Sequence, residues 1–206
     1  MHIGLIGLGK MGGNMRSRLR KNGIEVTGFA RTREVSDCDS IEEMISKISS
    51  PRIVWVMVPH GKPTDEIIDK LETLLEKGDL VIEGGNSRFT DDVRHAEQLS
   101  KKGIGYLDCG VSGGVWGLEN GYGLMVGGPK NLVDAAMPVF DALRPEGERS
   151  EGFVHVGDVG AGHYAKMVHN GIEYGMMQSF AEGYELLAKK DIIKDVHGTF
   201  KAWQRG

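Results

Sequence analysis

Short apolar runs and amphipathic stretches alternate along nearly the whole chain. The apolar runs predict strands at His2–Ile6, Glu25–Phe29, Ile53–Val58, Leu80–Glu83, Gly105–Asp108, Gly123–Val126 and Val154–Val156. Between them, apolar positions three and four apart predict helices over Met11–Lys21, Ser40–Lys47, Thr64–Leu75, Thr90–Lys101 and Leu132–Ala142, with a long one over Gly162–Lys189. Ile53-Val54-Trp55-Val56-Met57-Val58 is unbroken apolar sequence, as a central strand covered on both faces requires. This alternation predicts an α/β fold, a Rossmann-type doubly wound and mainly parallel sheet with helices on both faces.

The long final helix has no sheet left to cover. It is expected to leave a sheet domain of residues 1–160 and to begin a truncated all-α domain over 161–206, in which Asp195–Trp203 starts another helix. Met176, Met177, Phe180, Tyr184 and Leu187 form a large apolar set for so little following chain. Such a face predicts cover by another subunit or by a missing helical domain, and hence a homo-oligomer formed through the C-terminal helical region.

Glycine, at 31 residues, clusters at the strand ends, where a doubly wound sheet carries its loops and ligands. The first run leads straight into Gly7-Leu8-Gly9-Lys10-Met11-Gly12 and then a helical pattern. G-x-G-x-x-G between a strand and a helix is a dinucleotide-binding signature. Gly7 permits the tight turn, Gly9 lets the backbone approach a pyrophosphate, and Gly12 lets the helix pack close to the strand. The N–H groups at the helix start then face the anion. The second strand ends in Ala30-Arg31-Thr32, where an NAD-binding chain usually carries an acid for the ribose 2′-hydroxyl. Arg31 and Thr32 offer a guanidinium and a hydroxyl to a 2′-phosphate instead, so NADP is expected over NAD.

Residues 160–174 read GAGHYAKMVHNGIEY. On a helix, Lys166, His169, Asn170 and Glu173 line one side, with Tyr174 at its edge. Lys166 and Glu173 then lie roughly 10 Å apart along the axis. A base, two hydrogen-bonding groups and an acid on one stripe can surround a sugar-sized molecule. Gly162, Gly171 and Gly175 are poor helix residues and suit a close approach by a ligand or another backbone.

Composition excludes little. The chain is 40% hydrophobic and 26% charged with net charge −4, which gives no basis for nucleic-acid binding. It has no apolar run long enough for a membrane span, and no recognisable targeting segment, so a cytoplasmic location is expected. Cys38 and Cys109 are far apart and lack metal-ligand spacing, which predicts reduced thiols and no metal site.

The motifs together resemble the decarboxylating 6-phosphogluconate dehydrogenases of the β-hydroxyacid dehydrogenase superfamily, in particular their short form. The resemblance rests on Gly7–Gly12, on Glu83-Gly84-Gly85-Asn86-Ser87, on Asp108-Cys109-Gly110-Val111-Ser112-Gly113-Gly114 and on Gly160–Tyr174, in that order. It implies oxidation and decarboxylation of 6-phosphogluconate to ribulose 5-phosphate, a step of the pentose phosphate pathway, with reduction of NADP. Lys166 is implied as the base on the substrate 3-hydroxyl and Glu173 as the acid that protonates C1. By the same resemblance, Asn86 is expected to touch substrate hydroxyl and nicotinamide, and Ser112, Gly113 and Gly114 to hold the substrate carboxylate. His169 and Asn170 are expected to bind sugar hydroxyls and Tyr174 the phosphate. Met11 should lie against the nicotinamide, and Val58-Pro59 should pass beside the cofactor. Val115-Trp116 stands where longer family members carry acids. A dehydrogenase of the 3-hydroxyisobutyrate type would share the fold, Ser112-Gly113-Gly114 and Lys166 without needing Glu173. A non-catalytic NADP-binding module is a further alternative.

Overall fold

The computed structural model describes residues 1–204; Arg205 and Gly206, at the end of the expected helical domain, lie outside the described residues. Two compact units divide the chain, Met1–Lys166 and Met167–Gly206. The first is built on a seven-stranded sheet of β1 (His2–Ile6), β2 (Glu25–Phe29), β3 (Ile53–Val56), β4 (Leu80–Glu83), β5 (Gly105–Ser112), β6 (Gly123–Gly127) and β7 (Phe153–Gly157). The order is β2-β1-β3-β4-β5-β6-β7, and only β5 and β6 pair antiparallel. The connections carry α1 (Lys10–Lys21), α2 (Ile41–Ser46), α3 (Lys62–Leu74), α4 (Phe89–Ser100), α5 (Gly117–Asn120) and α6 (Lys130–Leu143). This is the predicted Rossmann-type, mainly parallel sheet with helices on both faces.

Side-chain alternation on β3 sorts the two layers. Trp55 points into the core shared with Met15 and Leu19 of α1 and with Val139 and Phe140 of α6. Val54 and Val56 point into the other, with Met44 of α2, Ile68 and Leu71 of α3 and Leu99 of α4. All four β3 residues are buried, as a strand covered on both faces demands.

Two strand ends differ from expectation in ways that matter for the site. β3 stops at Val56, and Met57 and Val58 leave the sheet toward Pro59, half-buried beside a cleft. β5 runs to Ser112 rather than ending at Asp108. Asp108–Ser112 pair with β6, and Cys109–Ser112 run past the last β4 pair, Glu83 with Asp108. Helix starts follow local chemistry. Ser40 caps α2 by accepting the Glu43 N–H at 3.1 Å, and Pro63 sits in the first turn of α3, where its missing N–H costs nothing.

In the second unit, α7 (Ala161–Ala188), which begins in the first unit, continues from Met167 and is followed by α8 (Val196–Trp203). The Asp195 side chain caps α8 by accepting the Gly198 N–H. Tyr184 meets Phe200, and Phe200 meets Trp203, with ring centroids 5.6 and 5.0 Å apart. Met176, Met177, Phe180 and Tyr184 are exposed.

One buried charge closes the first unit. Arg18 on α1 is 6% exposed, and its guanidinium donates to the carbonyls of Leu143 (2.9 Å), Arg144 (2.8 Å), Leu118 and Glu119 (both 3.2 Å). It thereby ties α1 to α5 and to the end of α6. Arg18→Met keeps the stem and strands these carbonyls, so unfolding free energy should fall by about 3 kcal/mol in a urea titration. A loss below about 0.5 kcal/mol, the usual range for surface changes, would contradict this role.

Candidate active site

The cofactor end is set by the turn after β1. Gly7 has φ +97°, in the region that favours glycine, and a β-carbon on Gly12 would collide with the Gly7 carbonyl oxygen. The turn and α1 therefore pack as closely as the motif requires. A β-carbon on Gly9 would instead meet nothing within 4 Å, so open space lies in front of it. Among the described residues no side chain caps the start of α1, and its first turn holds no acid. An open approach at Gly9 and an uncapped, acid-free helix start fit a pyrophosphate.

A cleft of about 280 Å³ opens there. Gly7, Leu8, Gly9, Arg31, Thr32, Val58 and Pro59 line it, together with Phe29, Met57 and, from α3, Pro63, Glu66 and Ile67. Lys10, Met11 and Gly12 are not among the lining residues. Lys10 is exposed, Gly12 is buried, and half-buried Met11 packs against the core. Arg31 and Thr32 are exposed at the cleft. The nearby acid Asp37 is engaged elsewhere. It accepts the Gly28 N–H at 2.8 Å and pairs with Arg16 (3.1 Å) and Arg20 (2.5 Å). Burial alone would raise its pKa, but the Gly28 N–H and the two arginines outweigh burial and hold the carboxyl below its ordinary value.

The loops expected to meet substrate follow β4 and β5. Asn86 is exposed three residues after Glu83, the last residue of β4. Ser112 ends β5 half-buried, and Gly113 and Gly114 are exposed in the turn that follows. The start of α7 lies hard against this strand. A β-carbon on Gly110 would stand 2.6 Å from both the Gly162 carbonyl oxygen and the Lys166 Cβ. Lys166 is thus seated over β5 two residues before Ser112. The close approach expected at Gly162 is present, with Asp108 Oδ2 2.8 Å from where a β-carbon would be. Gly171 and Gly175, read from the sequence the same way, face open space.

Further along α7, within the second unit, His169 Nδ1 lies 3.8 Å from Glu173 Oε2 and 3.5 Å from Asn170 Oδ1. His169 and Glu173 line a cavity of about 370 Å³ with Ile172, Met176, Met177 and Phe180. Asn170 and Tyr174 are not among its lining residues, and Tyr174 is 69% exposed.

Sequence reasoning missed a buried polar network beneath these loops. Asp108 accepts the N–H groups of Gly160 (2.6 Å) and His163 (2.8 Å). The His163 ring meets Asp92 Oδ2 through Nδ1 at 2.8 Å and the Gly85 carbonyl through Nε2 at 3.1 Å. The Tyr106 hydroxyl donates to the other Asp92 oxygen at 2.7 Å, and Glu83 accepts the Gly85 N–H at 2.7 Å. Burial raises the pKa of Glu83 and, joined by the Asp92 charge, that of Asp108. Glu83, Asp92 and His163 offer metal-ligand atoms within 4.8 Å of one another. Both ring nitrogens, however, already point at oxygen acceptors, which describes an ion-pair network rather than a metal centre. The available signal was a charged residue in an otherwise apolar strand, Glu83 and Asp108 both.

Comparison with known proteins agrees with this geometry. Residues 2–147 match the NAD binding domain of 6-phosphogluconate dehydrogenase, and residues 162–206 match its C-terminal domain. The NAD(+)-dependent, decarboxylating 6-phosphogluconate dehydrogenase of Haloferax volcanii is 41% identical over all of this chain, which covers 70% of that protein. The decarboxylating enzyme of Bacillus licheniformis is 37% identical over 99% of the chain, which spans only 47% of that relative. The 6-phosphogluconate dehydrogenase of Plasmodium falciparum, solved apo, with NADP+ and with 6-phosphogluconate, superposes with a TM-score of 0.87 at 30% identity, covering 100% of this chain and 48% of its own. Matched from its glycine turn through the Lys166 helix, the chain belongs to the 6-phosphogluconate dehydrogenase family.

Proposed function

We propose that this chain serves the oxidative decarboxylation of 6-phosphogluconate to ribulose 5-phosphate and CO2, with NADP preferred over NAD. The observation that carries this reading is the seating of Lys166 against Gly110, beside the Ser112 end of β5. The likeness to relatives named for that reaction supports it.

The Gly7–Gly12 turn would hold the pyrophosphate, Arg31 and Thr32 the 2′-phosphate, and Val58, Pro59 and Asn86 would flank the nicotinamide end. When bound, the dinucleotide supplies a hydride acceptor. The neutral Lys166 amine takes the proton of the 3-hydroxyl as that carbon is oxidised. The Ser112 hydroxyl and the N–H groups of Gly113 and Gly114 hold the carboxylate. As CO2 leaves the 3-keto acid, the Lys166 ammonium donates its proton to the carbonyl oxygen and offsets the developing charge. Glu173 then protonates C1 of the enediol. His169 and Asn170 bind sugar hydroxyls, and Tyr174 binds the phosphate.

A cytoplasmic location belongs to the same proposal, supported by two buried free thiols, Cys38 and Cys109, which suit a reducing compartment. So does self-association through the exposed face of α7 at Met176, Met177, Phe180 and Tyr184. Sedimentation across a concentration series should show it, and a strictly monomeric chain would exclude it.

The decisive assay is turnover of 6-phosphogluconate with CO2 detected, run beside 3-hydroxyisobutyrate. Faster oxidation of 3-hydroxyisobutyrate would replace this reading, and dinucleotide binding without turnover would leave only a binding module. Lys166→Ala should lower the rate by about 10²-fold or more with little effect on cofactor binding. Glu173→Gln should slow the last protonation while the hydride step still proceeds. Calorimetric titration should find NADP tighter than NAD. Arg31→Asp should weaken NADP by about 10- to 100-fold, the worth of a charge-assisted hydrogen bond, and erase or invert the preference.

A further inference from the structure

His163 is 2% exposed and has no part in the mechanism above. Its main chain and its ring are tied to three different elements. The backbone N–H donates to Asp108 on β5. Ring Nδ1 faces Asp92 on α4, and ring Nε2 faces the carbonyl of Gly85, just past β4. That carbonyl belongs to the peptide group whose nitrogen is Asn86, so fixing its oxygen fixes the plane from which the Asn86 side chain departs. The other side of Gly85 is fixed as well, its N–H donating to Glu83 Oε1. Gly84 and Gly85 would otherwise give this turn wide freedom. Lys166 follows His163 by three residues on α7, less than one helical turn.

We propose that His163, as a doubly donating imidazolium, is a positioning residue that holds the Gly85–Asn86 peptide in register with Lys166. The proposal rests on the reading of Asn86 and Lys166 as site residues. A carbonyl oxygen only accepts, so Nε2 must donate to it. Asp92 already accepts the Tyr106 hydroxyl, and as a carboxylate it accepts from Nδ1 too. A neutral ring would leave one of the two acceptors without its donor.

The charges around the ring favour the imidazolium. Burial works against it, but the hydrogen bond to Asp92 and the charges of Glu83, Asp92 and Asp108 outweigh burial and push its pKa up to about 9. The groups facing it are Asp92 from α4, Glu83 from β4, with Oε2 3.8 Å from Nε2, and Asp108 and Tyr106 from β5. A folded-state pKa raised from 6.5 to about 9 contributes stability that is fully present below 6.5 and lost as pH rises through about 9. Glu83 and Asp108 are raised as well, so their contributions have the same sign: present when the carboxyls are protonated and lost as pH rises through their own, lower window.

Three measurements decide the matter. In the parent chain, ¹⁵N spectra of the His163 ring should show both nitrogens protonated at pH 7, and unfolding free energy should fall between pH 6.5 and 9; a neutral ring at pH 7 overturns the proposal. In His163→Gln that alkaline fall should flatten, and amide exchange at Gly85, Asn86 and Ser87 should quicken by about tenfold or more while β1 and β3 stay protected. Its kcat for 6-phosphogluconate should drop by about tenfold or more, as small misplacements of a reacting group do. Its Kd for NADP should move less than about threefold, under 1 kcal/mol, because the glycine turn is untouched. Unchanged exchange and unchanged kcat overturn the proposal. Asp92→Asn keeps the ring but removes its nearest anion, so the alkaline limb of the kcat profile should move to lower pH; a limb that stays in place overturns the proposal even if His163→Gln fails to fold. A parent chain with no turnover of 6-phosphogluconate defeats the functional reading alone, and ring protonation and exchange then decide the positioning role.

Discussion

A single buried carboxylate, Asp108, sits where the sheet changes character. It pairs in register with Glu83 of β4 on one side, parallel, and with Gly127 of β6 on the other, antiparallel. Both of its oxygens accept N–H groups from the turn and first residues of α7. A helix start leaves N–H groups that must find partners, and a buried acid must find donors. Each need satisfies the other here. The first turn of α7, within the first unit, is thereby fixed at the strand end where the parallel run stops, and the place of Lys166 over β5 follows from that docking.

Much of the fold was legible in sequence because burial on both faces leaves a plain signature. The apolar run of β3 and the amphipathic spacing of α1, α3, α4 and α6 each state their environment residue by residue. The glycine turn was legible from its local spacing, with Gly12 against the Gly7 carbonyl oxygen, whereas the closeness of Gly7 to the Met57 carbonyl was not. The full length of β5 was not. Asp108-Cys109-Gly110 resembles a strand end locally, and its continuation depends on β6, whose register runs from Asp108↔Gly127 to Ser112↔Gly123. The polar network was equally hidden. Glu83, Asp92, Asp108 and His163 are scattered over some 80 positions, and although Glu83 and Asp108 stand out in apolar strands, nothing local ties them to Asp92 or His163. Only the packing of β4, α4, β5 and α7 makes them one cluster.

The two ends of the cofactor cleft are specified by different kinds of information. At the glycine turn, backbone groups and the absence of side chains would meet a pyrophosphate. At the proposed ribose end, the exposed Arg31 and Thr32 would meet the 2′-phosphate. Asp37, which follows them in sequence, is held by the β2 backbone and two α1 arginines and does not line the cleft. Under the proposed reading, cofactor preference would depend partly on where that carboxylate is engaged, a matter of tertiary structure that the order of residues after β2 does not state.

The Arg18 clamp differs in kind from the Asp108 corner. Its acceptors are main-chain carbonyls, which have no proton to gain in ordinary solution, and a guanidinium does not lose its own. The corner instead is built of groups that titrate, and the pKa values of Asp108, Glu83 and His163 are all raised, so rising pH rather than acid withdraws their support. An alkali-loosened form of this protein would therefore come apart unevenly. The layer of α1, α5 and α6 would remain closed, while the first turn of α7 would come loose from β5.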